Sequence, residues 1–250
     1  MTAAAEITYV GHSTVLVELD GVRLLTDPLL RARILHLRRV GPVDLEALGK
    51  VDAVLLSHVH LDHLDFPSLK RLGRDMRIFA PQGAGRFLAR KGFTEVSELG
   101  IGQEIRIGAL AVRGTPAIHD SARRPLGVRA VPMGHVIQGS RSVYFAGDTD
   151  VFDGMTELAP VDFALLPIWG WGPSIGDGHM SPKEAVEAAL LLRASVAIPI
   201  HWGTYYPSQS AFRRIPSFVE APARDFVKRM EAVAHEVDVR LLHPGEKTSI

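Results

Sequence analysis

The chain has 250 residues, 46% of them hydrophobic and 22% charged, with 28 basic side chains against 28 acidic ones. This length and apolar share suit one large α/β domain over residues 1–250 and exclude disorder, collagen and coiled coil. A formal net charge of zero gives no electrostatic reason to expect nucleic acid or a membrane surface as partner. The absence of cysteine removes disulfides, thiolate metal sites, Fe–S clusters and cysteine nucleophiles together, so any metal must be held by nitrogen and oxygen.

The N-terminal run MTAAAEITYVGHSTVLVELDG has no cationic segment ahead of its apolar stretch, which Gly11, His12 and Ser13 interrupt. No stretch reaches the ~18–20 apolar residues of a membrane span, and a soluble cytoplasmic protein without a stable membrane anchor is expected. Between Ile7 and Leu25 the pattern predicts two strands around an Asp20-Gly21 hairpin turn. Asp52–Ser57 reads as a buried strand, the neighbourhood of Pro67–Leu72 as a helix, residues 76–80 as a strand and Ala84–Arg90 as a short helix. The weakly alternating, Gly-punctuated stretch 95–113 reads as a meander. Arg141–Ala146, Asp162–Pro167 and Val196–Ile200 read as buried strands, Arg224–His235 as a helix and Asp238–Leu242 as a last strand. The best-marked helix is Pro182–Leu192, where Ser181 is the N-cap, Pro182 the first helical residue and Glu184 the partner in a capping box. The mixture lacks the strict alternation of a doubly wound parallel sheet, and no internal repeat is evident.

The chemistry concentrates in Ser57-His58-Val59-His60-Leu61-Asp62-His63, which holds three of the chain's eleven histidines. A helix would set His58 and His60 about 200° apart, whereas extended backbone points i and i+2 the same way. The helical HExxH arrangement is therefore the wrong template. Asp148 follows the strand RSVYFA through Gly147, His201 follows VAIPI directly, and His119 follows Ala117-Ile118. Each donor ends an apolar segment, and strand ends on one rim of a sheet are where rigid ligands can converge.

The HxHxDH run, the downstream His119, Gly147-Asp148-Thr149 and the late His201 resemble the metallo-β-lactamase fold hydrolases. Tyr9-Val10-Gly11-His12-Ser13, Leu25-Thr26-Asp27-Pro28, Gly178-His179-Met180-Ser181-Pro182-Lys183-Glu184-Ala185 and Ile200-His201-Trp202-Gly203-Thr204 extend the likeness along nearly the whole chain. They are most similar to the branch with N-acyl-phosphatidylethanolamine phospholipase D and L-ascorbate-6-phosphate lactonase-like proteins, although Trp169-Gly170-Trp171 departs from the phospholipase D-like pattern. The resemblance implies a four-layer αββα sandwich, an α/β fold, with a two-metal site at one edge of the sheets. His58, His60 and His119 would bind the first metal, Asp62, His63 and His201 the second, and Asp148 would bridge them.

Imidazole and carboxylate donors suit two Zn(2+) ions per chain, with Mn or Fe as alternatives. The di-iron oxygen-reducing branch has Glu where this chain has His60, which favours hydrolysis. Such a cation pair shares a hydroxide, because bound water ionises near pH ~7. The implied activity is hydrolysis of a phosphodiester, or of an ester or lactone of a phosphorylated metabolite. An amide or lactam hydrolase and a non-catalytic metal-binding scaffold are the alternatives. Asp62 and His179 are the side chains expected to serve the reaction itself, His179 as proton donor or substrate-oxygen ligand. Asp27 and His12 are expected behind the ligands. Arg123 and Arg124 are candidates for an anionic substrate. Trp171 and Trp202, with Trp169, Tyr205 and Tyr206, are candidates for an aromatic wall or for core. Arg31, Arg33, Arg38 and Arg39 either recruit a phosphate or headgroup or form a solvated surface segment. A small-molecule substrate is expected, nucleic acid is not, and a homo-oligomer stays open.

Overall fold

A computed structural model describes residues 5–120, 122–123, 127–169, 176–207 and 217–249. The first half of the chain forms β1 (Glu6–Gly11), β2 (Thr14–Leu19), β3 (Val22–Thr26), β4 (Arg33–Ile34), β5 (Leu37–Arg39), α1 (Leu45–Leu48), β6 (Ala53–Leu55), α2 (Phe66–Leu72), β7 (Ile78–Pro81), α3 (Gly85–Arg90) and β8 (Val96–Leu99). The second half forms β9 (Glu104–Ile107), β10 (Leu110–Pro116), β11 (Ala122–Arg123), β12 (Val128–Arg129), β13 (Met133–Gln138), β14 (Ser142–Phe145), β15 (Phe163–Pro167), α4 (Pro182–Leu191), β16 (Val196–Ile200), β17 (Tyr205–Pro207), α5 (Ala221–Val233), β18 (Asp238–Val239) and β19 (Lys247–Ser249), with 3-10 turns at Asp153–Leu158 and Ser217–Val219.

Two seven-stranded sheets result, ordered β19-β1-β2-β3-β6-β7-β8 and β18-β16-β15-β14-β13-β10-β9. Alternation at period two sorts the side chains between layers. Ile7, Tyr9, Val15, Val17, Leu24, Ala53 and Leu55 face the second sheet and join Val112, Ile137, Val143 and Phe145 in one core that continues to Phe226 and Met230 of α5. The intervening Leu16, Leu25, Val54 and Leu56 face outward onto Leu48, Leu69 and Leu88 of α1, α2 and α3. The stack is the four-layer αββα sandwich. Both sheets pass from antiparallel to parallel pairing: β1–β2–β3 then β3–β6–β7–β8, and β9–β10–β13–β14 then β14–β15–β16. Among the described residues no helix is long and apolar enough to cross a membrane.

The capping box at α4 forms as expected: the Ser181 hydroxyl accepts from Glu184 N, and the Glu184 carboxylate accepts from Ser181 N at 2.7 Å. Several expectations need correction. Residues 7–25 hold three strands rather than two, because Gly11 at φ 130° and His12 at φ 60° turn the chain between β1 and β2. The 95–113 stretch is no single meander: β8 closes the first sheet, and β9 and β10 open the second, with Gly102 at φ 78° in the crossover. α5 begins at Ala221, ahead of Arg224, because Pro222 fits its first turn. The last predicted strand shortens to Asp238–Val239. The basic segment after Asp27 folds into the β4–β5 hairpin, which pairs with β17 in a small separate sheet.

Candidate metal centre

Parallel neighbours end on the same edge, so the loops that follow β3, β6, β10, β14 and β16 meet at one rim between the two sheets. Asp27 follows β3, His58–His63 follow β6, His119 follows β10, Asp148 follows β14 and His201 follows β16. The donor atoms form two sets. His60 Nδ1 lies 3.1 Å from His58 Nε2 and 3.0 Å from His119 Nε2. Asp148 Oδ2 lies 3.1 Å from His63 Nε2 and 3.4 Å from His201 Nε2, and Asp62 Oδ2 lies 3.6 and 3.9 Å from the same two nitrogens. Asp148 Oδ2 is also 3.9 Å from His58 Nε2, which sets it between the sets.

A metal can be tested against these spacings. Bonds of ~2.0–2.1 Å in a tetrahedral zinc site put neighbouring donors ~3.3 Å apart, and the observed separations straddle that value. The charges agree. The Asp148 side chain is buried, its Oδ1 has no hydrogen-bond partner, and its ion pairs are all with histidines. A buried carboxylate with an orphaned oxygen and, among the described residues, no Lys or Arg beside it suits a bound cation.

The tautomers are set from behind. His63 Nδ1 donates to Asp27 Oδ2 at 2.8 Å, and His119 Nδ1 donates to Gly178 O at 2.9 Å. His58 Nδ1 donates to Ser57 Oγ at 2.9 Å, and that hydroxyl donates in turn to Asp27 Oδ2. Asp27 Oδ1 accepts from Ser57 N at 2.7 Å. Each of these rings therefore turns an Nε2 lone pair toward the centre. His12 Nε2 donates to Asp62 Oδ2 at 3.0 Å, and the His12 backbone is held by Thr204 Oγ1 at 2.7 Å and by His201 N at 2.8 Å. Strain gathers here as well: His12, Asp27 and His201 are three of the six non-glycine residues with positive φ among the described residues.

Electrostatics follow from burial and proximity. Burial, with neighbouring imidazoles, holds His58 well below the usual histidine range; burial takes His119 down to about 4 and His12 to about 3. Burial also opposes a charged His63, but Asp148 and Asp62 outweigh it and raise that ring's pKa well above the ordinary value. The same contest, decided by Asp148, raises His179. Burial opposes the charged carboxylates, yet the surrounding histidines keep Asp62 and Asp148 well below the ordinary range. His179 Nε2 is 3.5 Å from Asp148 Oδ2, and its ring stands edge-on to His119 with centroids 4.6 Å apart.

The expected substrate contacts fare differently. Arg123 is buried, and its Nη1 donates to Val59 O at 2.7 Å, His60 O at 3.2 Å and Leu64 O at 2.9 Å, so its guanidinium clamps the ligand loop. Trp202 is buried, stacks on Tyr9 and donates its Nε1 to Pro199 O at 2.9 Å; it is core rather than wall. Arg124 and Trp171 lie outside the described residues. Arg39 is buried and donates to Val10 O and Leu29 O, and Arg31 pairs with Asp65 at 2.7 Å, which leaves Arg33 and Arg38 as the solvated members of that segment. Sequence reasoning missed the roles of Ser57, Thr204 and the Gly178 carbonyl. Ser57, lying between a strand and HxHxDH, carried the one local signal; the other two act across long sequence distances.

Residues 22–202 match the model of a family described as "Beta-lactamase superfamily domain". A UPF0173 metal-dependent hydrolase of Methanopyrus kandleri is 33% identical over 96% of this chain and 97% of its own length. N-acyl-phosphatidylethanolamine-hydrolyzing phospholipase D 1 of Caenorhabditis elegans is 34% identical over 79% of this chain and 64% of its own length. The solved structure of Igni18, a metallo hydrolase of Ignicoccus hospitalis, superposes with a TM-score of 0.72 at 27% identity, covering 99% of both chains. On the family match over residues 22–202 and the likeness to these metal-dependent hydrolases, the chain belongs to the beta-lactamase superfamily as a metal-dependent hydrolase.

Proposed function

We propose that the centre holds two divalent cations, zinc by preference, and hydrolyses a phosphodiester or an ester or lactone of a phosphorylated small molecule. The observation that carries this reading is Asp148 Oδ2, which is buried, stands 3.1–3.9 Å from nitrogens of both donor sets and, among the described residues, pairs with no Lys or Arg. His58, His60 and His119 would hold one ion, Asp62, His63 and His201 the other, with Asp148 between them. Bound there, such a pair supplies water ionised near neutral pH and positive charge for a developing oxyanion. Manganese and iron accept the same donors.

The chain's own groups complete the site. Asp27 and Ser57 fix the ring orientations, and Asp62 is held in place by His12. His179, beside Asp148 and partly exposed, is placed to give a proton from Nε2 to a departing oxygen. The C. elegans relative is named for hydrolysis of a phospholipid diester, which favours phosphodiester chemistry. Elemental analysis of purified protein should find close to two metals per chain. Asp148→Ala should lose most of that metal and at least ~10³-fold in turnover of bis-p-nitrophenyl phosphate or of a lactone panel, as expected when charge stabilisation in the site fails. A fully metal-loaded Asp148→Ala enzyme with wild-type turnover would sink the assignment.

A further inference from the structure

His58, His63, Asp148 and His201 are buried, so among the described residues the centre is reached past its partly exposed members, His60 and Asp62 on one side and His119 and His179 on another. On the first side a groove of about 430 Å³ is lined by His60, Leu61 and Asp62, by Asp120, Ala122 and Arg123, and by Leu35 of the β4–β5 hairpin. His60 belongs to one donor set and Asp62 to the other. Anything seated in the groove therefore lies against both.

Leu35 carries two penalties at once. It is the first of two residues joining β4 to β5, whose register pairs Ile34 with Leu37. Its φ is 48°, in the left-handed region where a β-carbon is disfavoured and where such hairpins place Gly or Asn. Its side chain is 76% exposed, the highest value for a large apolar residue among the described residues. Packing gives no compensation, because the cluster beneath the hairpin consists of Leu29, Ile34, Leu37 and Tyr205 with Leu61 against it, and Leu35 stands outside it. That cluster and the pairing of β5 with β17 give the tip a firm base. Exposure alone is ordinary for a single leucine, but a left-handed, strained backbone held at the rim of a groove that touches both donor sets points toward function rather than folding.

We propose that Leu35 is a specificity-determining residue: with Leu61 it forms an apolar lip that receives an apolar substituent adjoining the scissile bond. The position of that bond rests on the hydrolytic reading above, but binding at the lip is measurable without turnover. The probe is a series of n-alkylphosphonates from ethyl to octyl, below their micelle thresholds, titrated calorimetrically into metal-loaded protein. A fully buried methylene strengthens binding about fourfold. An open groove captures part of this, so octylphosphonate should bind wild type at least about tenfold more tightly than ethylphosphonate. Leu35→Asn suits the left-handed backbone and removes the apolar tip. It should keep the thermal midpoint and the ethylphosphonate affinity while reducing the chain-length gain to below about threefold. A wild-type series with no chain-length gain, or an unchanged gain in a folded Leu35→Asn, overturns the lip and leaves the metal centre intact. Failure of wild type to bind even ethylphosphonate overturns the metal-centre reading and the lip with it.

Discussion

Asp27 shows how much one side chain can organise. Its carboxylate reaches His63 directly and His58 through Ser57, so it aligns a ligand of each donor set. Asp27→Asn preserves volume but replaces one acceptor oxygen by an amide donor facing N–H or O–H groups. Metal affinity should fall about 10–100-fold, the usual effect of losing a group that orients a ligand. Chelator competition measures this, and an unchanged affinity would show that the ligands orient themselves. Asp27 was legible in the sequence through the family likeness of Leu25-Thr26-Asp27-Pro28, and the donors in HxHxDH through their own spacing. Arg123 and Trp202 illustrate one limit: residue type announces a charge or a ring, while burial decides which neighbours the group meets.

At the scale of elements, β13 is the instructive case. Met133-Gly134-His135 does not read as the start of a strand, and none was predicted there. Gly134 serves close approach: a β-carbon would sit 2.7 Å from Thr115 Oγ1 and 2.8 Å from Phe145 O. His135 next to it is fully buried with neither ring nitrogen hydrogen-bonded, and burial takes its pKa down to about 4. The unfolded chain takes up this proton near pH ~6.5 and the folded one does not, so stability is whole above that pH and falls as pH drops toward 4. By pH 5 the loss is about 2 kcal/mol. His135→Leu should therefore gain more stability over wild type in urea unfolding at pH 5 than at pH 7.5. Equal gains at both pH values would mean that the ring is hydrated in the native state. The β4–β5–β17 sheet escaped sequence reading for a different reason: strands of two and three residues carry no measurable period.

The whole molecule places its metal centre between two sheets. The first contributes Asp27, His58, His60, Asp62 and His63, and the second contributes His119, Asp148 and His201, so metal bound there would tie the halves of the sandwich together. Metal binding to the native state alone stabilises it by about 2.7 kcal/mol at a free concentration of 100 times Kd. Chelator-stripped protein should melt several degrees lower while keeping its far-UV circular dichroism, and readded zinc should restore the midpoint. An indifferent melting temperature would place the ions outside this seam.

Composition, strand alternation, the capping box and the order of donor residues along the chain were all settled by local chemistry. Runs of apolar and β-branched residues located most strands, the layered α/β fold followed from the family likeness of the motifs, and three imidazoles with a carboxylate in one hexapeptide pointed to a metal loop. Tertiary structure alone decided that β8 and β9 part into different sheets, that Arg123 faces backbone and Trp202 faces core, and that Leu35 stands exposed at the mouth. It also revealed that the two sheets repeat one progression from antiparallel to parallel pairing, which no sequence repeat announces. The physical reason is range: propensity and periodicity act over a few neighbours, whereas burial, charge pairing and groove shape depend on residues that meet only after the sheets have packed.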